Sequence, residues 1–372
     1  MARRGEGCAA GRGVTYLDYQ ATTPLAPEAF EAMLPWLRDQ HANPHSPHRA
    51  GRAARAAVEV ARDRVAALLP AGGRVAFTGG ATEALNWAIK GAPAGRVVTI
   101  ATEHAAVLDA VAARGGDTVV LPVGADGLVD MDAARGAILP GTALVAVMLV
   151  NNEIGVIQPV AELAALARDA GAWMLVDAVQ GYGRVPIPDG VDLIAISAHK
   201  VHGPKGIGAL WRRDGIAPAP LLHGGDQEGG RSGTLSPALC AGFGVAAQLL
   251  RERAAADADH VGRLWDVACA RLAGWAVNGS RAHRYRGNIN VRRDGLDVNR
   301  LMSDLRDVAF SAGSACASGS GRASHVLRAI GLSEAAARSS IRIGFGRYTT
   351  VDELGGALDR IVAAADAQRV AA

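Results

Sequence analysis

Two patterns alternate along the chain. Short continuous apolar runs stand between longer stretches whose apolar residues recur at helical spacing. Val75-Ala-Phe, Val97 to Ala101, Leu144 to Val150, Gly171 to Val176 and Leu193 to Ile196 predict buried strands. Pro27 to Gln40, Gly51 to Leu69 and Pro237 to Ala255 predict helices. Val14 to Tyr19, Gly287 to Val291 and Ser340 to Arg347 predict further strands, and Leu301 to Val308 another helix. Alternation of strand and helix predicts an α/β architecture.

Polar residues gather where the apolar runs stop. The run from Asp192 ends on Ser197, His199 and Lys200, and the run before it ends on Asp177. Val75-Ala-Phe-Thr leads through Gly79-Gly80 to Ala81-Thr82, a strand–turn–helix that lets an anion approach the first helical amides. Glycine in such a turn also serves plain sterics. The strand ending at Ala101 leads to His104, which could lie over a cofactor ring and handle protons, or simply cap a helix. The strand ending at Val150 leads to Asn151-Asn152, which could bond a cofactor oxygen or close a turn. In open α/β sheets this strand edge is where ligands bind.

Composition adds weight to Lys200. The chain has 39 Lys and Arg, yet Lys90, Lys200 and Lys205 are its only lysines. What lysine offers and arginine does not is an amine that can lose its proton and attack a carbonyl. A lysine and an aspartate closing successive strands meet the needs of pyridoxal 5'-phosphate. The lysine holds the cofactor as a Schiff base, and the carboxylate keeps the ring nitrogen protonated. A helix cap for Asp177 and a surface position for Lys200 are the plainer readings of each residue alone.

Other features narrow the class. A formal net charge of +3 over 372 residues gives no reason to expect a nucleic-acid or membrane partner. The longest apolar run, Ala143 to Val150, is too short to span a bilayer, and the Met1 to Gly7 segment lacks the apolar core of a signal peptide. Cys8, Cys240, Cys269 and Cys316 form no CxxC pair, so no zinc or dithiol motif is indicated and a reducing cytoplasm is expected. His41, His45 and His48 share a proline-rich stretch that reads as a rigid loop rather than a metal site. Cys316 sits within Gly, Ala and Ser residues that cannot bury it firmly, which suits a nucleophile that must travel; an incidental cysteine is the alternative. Arg342 lies inside an apolar strand and needs a partner, either a substrate carboxylate or a structural aspartate. The glycine-rich stretch His223 to Thr234 reads as a linker or as a loop wrapping a ligand or neighbouring subunit.

With these residues assembled, the chain resembles the cysteine desulfurases of the IscS/NifS type, within the class V aminotransferase-like enzymes. The marks are Leu-Asp-Tyr-Gln-Ala-Thr-Thr-Pro, Thr-Gly-Gly-Ala-Thr-Glu, Thr-Glu-His, Val-Asn-Asn-Glu-Ile-Gly, Val-Asp-Ala-Val-Gln, Ser-Ala-His-Lys, Gly-Pro-Lys-Gly-Ile-Gly, Arg-Ser-Gly-Thr and Gly-Ser-Ala-Cys, in order from about Tyr16 to Thr350. The resemblance implies the fold type I of pyridoxal phosphate-dependent transferases. A large unit over 14–248 would hold a mostly parallel sheet flanked by helices; a smaller α+β unit from 1–13 and 249–372 would carry the cysteine loop at about 311–324. It implies that Lys200 carries the cofactor, Asp177 partners the ring nitrogen, and Gln180 and Asn152 bond the ring oxygen side. His104 would stack on the ring and handle protons. Ala81, Thr82, Ser197 and His199 would bind the phosphate, and Thr234 would reach the cofactor of the other subunit of a homodimer. Arg342, with Asn152, would hold the carboxylate of L-cysteine. Cys316 would take its sulfur as a persulfide, leaving alanine, for delivery to an iron–sulfur scaffold or other sulfur-carrier protein. Ala198, Val179, Gly79 and Ala312 replace residues more common at those places in the family, all mild changes away from the reacting atoms. A transaminase would need no such cysteine; selenocysteine remains open as a second substrate.

Overall fold

A computed structural model describes residues 13–313 and 323–370. Cys8 and Cys316 lie outside them. The chain opens with strand β1 (Thr15–Tyr16) and helices α1 (Pro27–Arg38) and α2 (Arg49–Ala66). Pro27 begins α1, where its missing N–H is no loss, and the His48 ring accepts from Gly51 N to cap α2. Then strands and helices alternate: β2 (Gly73–Thr78), α3 (Ala81–Lys90), β3 (Arg96–Ile100), α4 (Ala105–Arg114), β4 (Thr118–Leu121), α5 (Met131–Ala137), β5 (Thr142–Met148), α6 (Val160–Asp169), β6 (Trp173–Asp177), β7 (Leu193–Ser197) and β8 (Gly208–Arg213). They form a seven-stranded sheet in the order β2-β8-β7-β6-β5-β3-β4. The pairs among β4, β3, β5, β6 and β7 are parallel; β8 runs antiparallel to both β7 and β2.

That topology explains the continuous apolar runs. Helices cover both faces of a parallel sheet, so its central strands need apolar residues at every position. All of β5 and β7 is buried. One face packs Val145, Val147, Val176, Ile194 and Ile196 against α2 and α7 (Pro237–Glu252). The other packs Leu144, Ala146, Leu175 and Leu193 with α3 and α4.

The chain then builds a second core. Helix α8 (Ala254–Arg271) is followed by β9 (Ala276–Val277), β10 (Asn288–Arg292), α9 (Val298–Asp304), β11 (Val308–Ala309), β12 (Ser311–Ala312), α10 (His325–Ala329), α11 (Glu334–Arg338), β13 (Ser340–Gly344) and α12 (Val351–Val370). An antiparallel sheet of order β12-β13-β10-β9 carries Ile289, Val291, Ile341 and Ile343 against Leu264, Trp265, Leu358 and Ile361 of α8 and α12.

Three expectations differ in detail. Strand β1 pairs with β11, and Leu17 packs in this second core, so residues 15–17 join the smaller unit although the sequence reading counts them with the larger. The helix expected at Leu301 to Val308 is α9, which starts earlier because Asp297 caps it by accepting from Arg300 N. It ends before Val308, whose backbone joins Thr15 instead. The strand expected to reach Arg347 stops at Gly344; Arg347 pairs with Asp257 at 2.6 Å. Among the described residues no helix is long and apolar enough to cross a membrane.

Candidate active site

The C-terminal ends of β2, β3, β5, β6 and β7 open on one edge of the large sheet. Antiparallel β8 starts at that edge, at Gly208 opposite both Thr78 and Ser197. A cavity of about 830 Å³ lies there. Each of Ala81, Thr82, His104, Asn152, Asp177, Gln180, Ser197, His199, Lys200 and Arg342 lines it. Thr234 does not; it is exposed on the loop before α7.

The anion end is built by backbone. Thr78 Oγ1 donates to Gly80 O at 2.9 Å and fixes the turn into α3. Gly80 caps α3 without a side-chain acceptor, so among the described residues no cap side chain competes for the first amides of the helix. With the helix dipole they suit a phosphate. Gly208 lets β8 run close under this turn: a Cβ there would stand 2.7 Å from Gly80 C. His199 flanks the same end, with Nδ1 3.2 Å from Thr22 Oγ1. Burial, with Lys200 and Lys205 nearby, lowers its pKa to about 4, so it serves as a neutral hydrogen-bonding ring.

Across the cavity, Asp177 ends β6. Its Oδ1 accepts from Val179 N at 2.9 Å, yet burial pushes the carboxyl above its ordinary range despite His104 and Lys200 nearby. A charged carboxylate is stable in such a place only opposite a cation, such as a protonated ring nitrogen. Glu103 is fully buried behind it and is held well up by burial and by Asp177. His104 caps α4, its Nδ1 accepting from Ala106 N at 3.1 Å; the neutral ring therefore carries its proton on Nε2. Burial lowers its pKa, so the neutral form prevails near neutral pH. The capping role holds, and the ring also lines the cavity.

Lys200 sits in the short 3₁₀ turn Ala198–Lys200 after β7. Its Nζ donates to Gln20 O at 2.6 Å and Ala21 O at 2.8 Å. Gln180 donates from Nε2 to Gln20 O at 3.0 Å, while its buried Oε1 has no partner among the described residues. Of the two asparagines, Asn151 closes the turn by accepting from the N–H groups of Glu153 and Ile154, leaving Asn152 to line the cavity. Arg342 of β13 is wholly buried. It donates to Asp18 Oδ1 at 2.7 Å and to Asn152 O at 3.1 Å, so the structural aspartate exists even though the arginine lines the cavity.

Pyridoxal 5'-phosphate fits this donor set: uncapped amides for a phosphate, a buried carboxyl for a ring nitrogen, a Gln180 amide whose oxygen has no partner among the described residues, and a lysine amine. The reading of the sequence missed the segment Asp18 to Thr22, which it took for a strand end and a turn. Gln20, Ala21 and Thr22 line the cavity, and the only hint was their place in the Leu-Asp-Tyr-Gln-Ala-Thr-Thr-Pro run. Lys205 also lines it.

The profile described as aminotransferase class V matches residues 15–355. The cysteine desulfurase IscS of Rickettsia felis is 42% identical over 375 residues, covering 95% of this chain and 92% of that protein. The cysteine desulfurase IscS of Rickettsia akari is 41% identical with the same coverage. A NifS-like protein structure from Rickettsia africae superposes with a TM-score of 0.88 at 28% identity, covering 95% of this chain and 99% of that one. The structure described as SspA in complex with cysteine gives 0.79 at 33% identity, covering 90% and 99%.

Proposed function

The chain belongs to the class V aminotransferase family, and within it to the cysteine desulfurases; on that premise we propose which residues convert L-cysteine to L-alanine and where the sulfur goes. The observation that carries the site reading is the convergence on one cavity of Lys200, Asp177 and the uncapped start of α3, contributed by three separate strand ends.

Pyridoxal 5'-phosphate, when bound, supplies an electron sink that makes the bonds next to the substrate α-carbon labile. The protein supplies the rest. Lys200 holds the cofactor, and the amides of Ala81 and Thr82 with Ser197 and His199 hold its phosphate. Asp177 keeps the ring nitrogen protonated, and Gln180 and Asn152 bond the ring oxygen side. His104 would stack on the ring, with the Nε2 proton of its neutral imidazole available as a hydrogen-bond donor at the reacting end of the site. Arg342 and Asn152 orient the substrate carboxylate. Cys316, outside the described residues, would attack the substrate sulfur as a thiolate. The S–S bond forms as the carbon–sulfur bond breaks, and the electron pair of that bond and a proton go to the carbon skeleton that leaves as alanine. The persulfide sulfur then passes to a sulfur-acceptor protein such as an iron–sulfur scaffold. The enzyme acts in the cytoplasm as a homodimer in which Thr234, exposed on its loop, reaches the phosphate in the other subunit. A division into a large unit to about residue 248 and a smaller one from 249, with residues 15–17 counted in the smaller, is supported by the separate cores around Val145 and Ile289.

The test is to incubate the purified holoenzyme with L-cysteine and a reductant and to quantify alanine and sulfide together. Equal yields support desulfurase chemistry. A yellow protein that turns over other amino acids and keto acids but yields neither product would refute it.

A further inference from the structure

The segment from Asp18 to Ala21 touches both ends of the site. Its carbonyls at Gln20 and Ala21 take the Lys200 amine, and its first side chain takes the Arg342 guanidinium. The Asp18 carboxylate is only partly exposed, with 20% side-chain accessibility, and Arg342 has none. Ser311 Oγ donates to Asp18 Oδ1 at 2.8 Å and lies 3.3 Å from Arg342 Nη2, closing a three-membered cluster. Asn152 O holds Nη1 at 3.1 Å. These contacts hold both terminal nitrogens of the guanidinium and leave Nε, which is buried and has no partner among the described residues.

A charge that far from water is tolerable only when paired. Asp18 supplies that pairing before any substrate arrives, so the guanidinium is held in one orientation and need not be ordered on binding. An α-amino acid carries its amino group and its carboxylate on a single carbon. The distance between the amine-handling lysine and the carboxylate-handling arginine is therefore what a substrate must match, and one short segment sets both. We propose that Asp18 is a positioning residue that, through Arg342, fixes where the substrate carboxylate docks and so sets the preference of the site for α-amino acids over plain amines. This rests on Arg342 being the carboxylate site.

The experiment uses the holoenzyme and two probes, L-cysteine and cysteamine, which lacks the carboxylate. Apparent Kd values come from the absorbance change of the bound cofactor, and kcat and KM for L-cysteine are measured alongside. Asp18→Ala should reduce the preference for L-cysteine over cysteamine on the order of ten- to a hundredfold, the penalty for a group misplaced by about 1 Å. The loss should fall on KM more than kcat. Arg342→Ala should reduce the preference at least as far, and the double variant no further, because Asp18 acts only through Arg342. Asp18→Asn, which keeps an acceptor for Nη2 and for Ser311, should restore part of it, and it also serves should Asp18→Ala not fold. Equal weakening of both probes by the Asp18 variants, or losses that add in the double variant, would overturn the proposal. An Arg342→Ala variant with an unchanged preference would instead overturn the carboxylate reading of Arg342, and this inference with it.

Discussion

Gly208→Ala tests how the anion end of the cavity is built. Gly208 pairs with Thr78 on one side and Ser197 on the other, both at the cavity edge. A Cβ at this position would stand 2.5 Å from Ile196 O and 2.7 Å from Gly80 C. Both obstacles are backbone, so no side chain can swing aside. Reaching an ordinary contact of roughly 3.5 Å needs a separation of about 1 Å between β8 and the Gly79–Gly80 turn. Overpacking of this kind costs about 1–3 kcal/mol, well within what a domain can absorb and still fold. The turn is the looser of the two obstacles, since Ile196 lies in fully buried β7, which pairs with strands on both sides. The displacement should therefore move the first amides of α3 out of register with the phosphate. If most of that energy falls on the cradle, cofactor affinity drops roughly ten- to a hundredfold, each 1.4 kcal/mol being about tenfold. Cofactor-free protein would be titrated with pyridoxal 5'-phosphate and followed by absorbance, with thermal unfolding in parallel. Gly136→Ala is the control, since nothing stands within 4 Å of its added Cβ. A Gly208→Ala protein that loses stability yet binds the cofactor as the wild type does would refute the cradle argument.

Three further outcomes are expected. Lys200→Ala should give protein with no borohydride-reducible yellow chromophore; a normal chromophore would remove Lys200 from its role. Cys316→Ala should keep the cofactor spectrum and its response to L-cysteine while releasing no sulfur, and unchanged turnover would make that cysteine incidental. Burial lowers the pKa of His202 to about 3, so the folded protein keeps it neutral while the unfolded chain protonates it near its ordinary 6.5. The unfolded state thus binds the extra proton below about 6.5, and the stability from this residue is complete above that pH and lost as pH falls towards 3. His202 has a φ of 66°, which asparagine also tolerates, so His202→Asn should flatten the pH dependence of urea stability across that window. An unchanged slope would count against it.

Much of the site is legible in the sequence for a topological reason. Parallel strands point their C-terminal ends to one edge, so Ala81, His104, Asn152, Asp177 and Lys200, scattered along the chain, need only end or follow strands to meet. The continuous apolar runs mark those strands because the sheet is covered on both faces. Asp18, Gln20 and Ala21 escaped notice because they carry no such signal. Two of them act through backbone carbonyls, which every residue has, and the third faces a partner 324 positions away in sequence. The same limit applies to β1, whose fate depends on β11 rather than on its own residues.

What the sequence determined by itself is the local vocabulary: which runs are strands, where glycine opens a helix start to an anion, and which residue types can form a Schiff base or give up a thiol proton. Tertiary structure alone decided two things. It made Arg342 a shared group between Asp18 and the cavity, and it aimed the carbonyls at residues 20 and 21 at Lys200. Both depend on distances between segments remote in sequence, and an interaction set by distance has no signature in the order of residues.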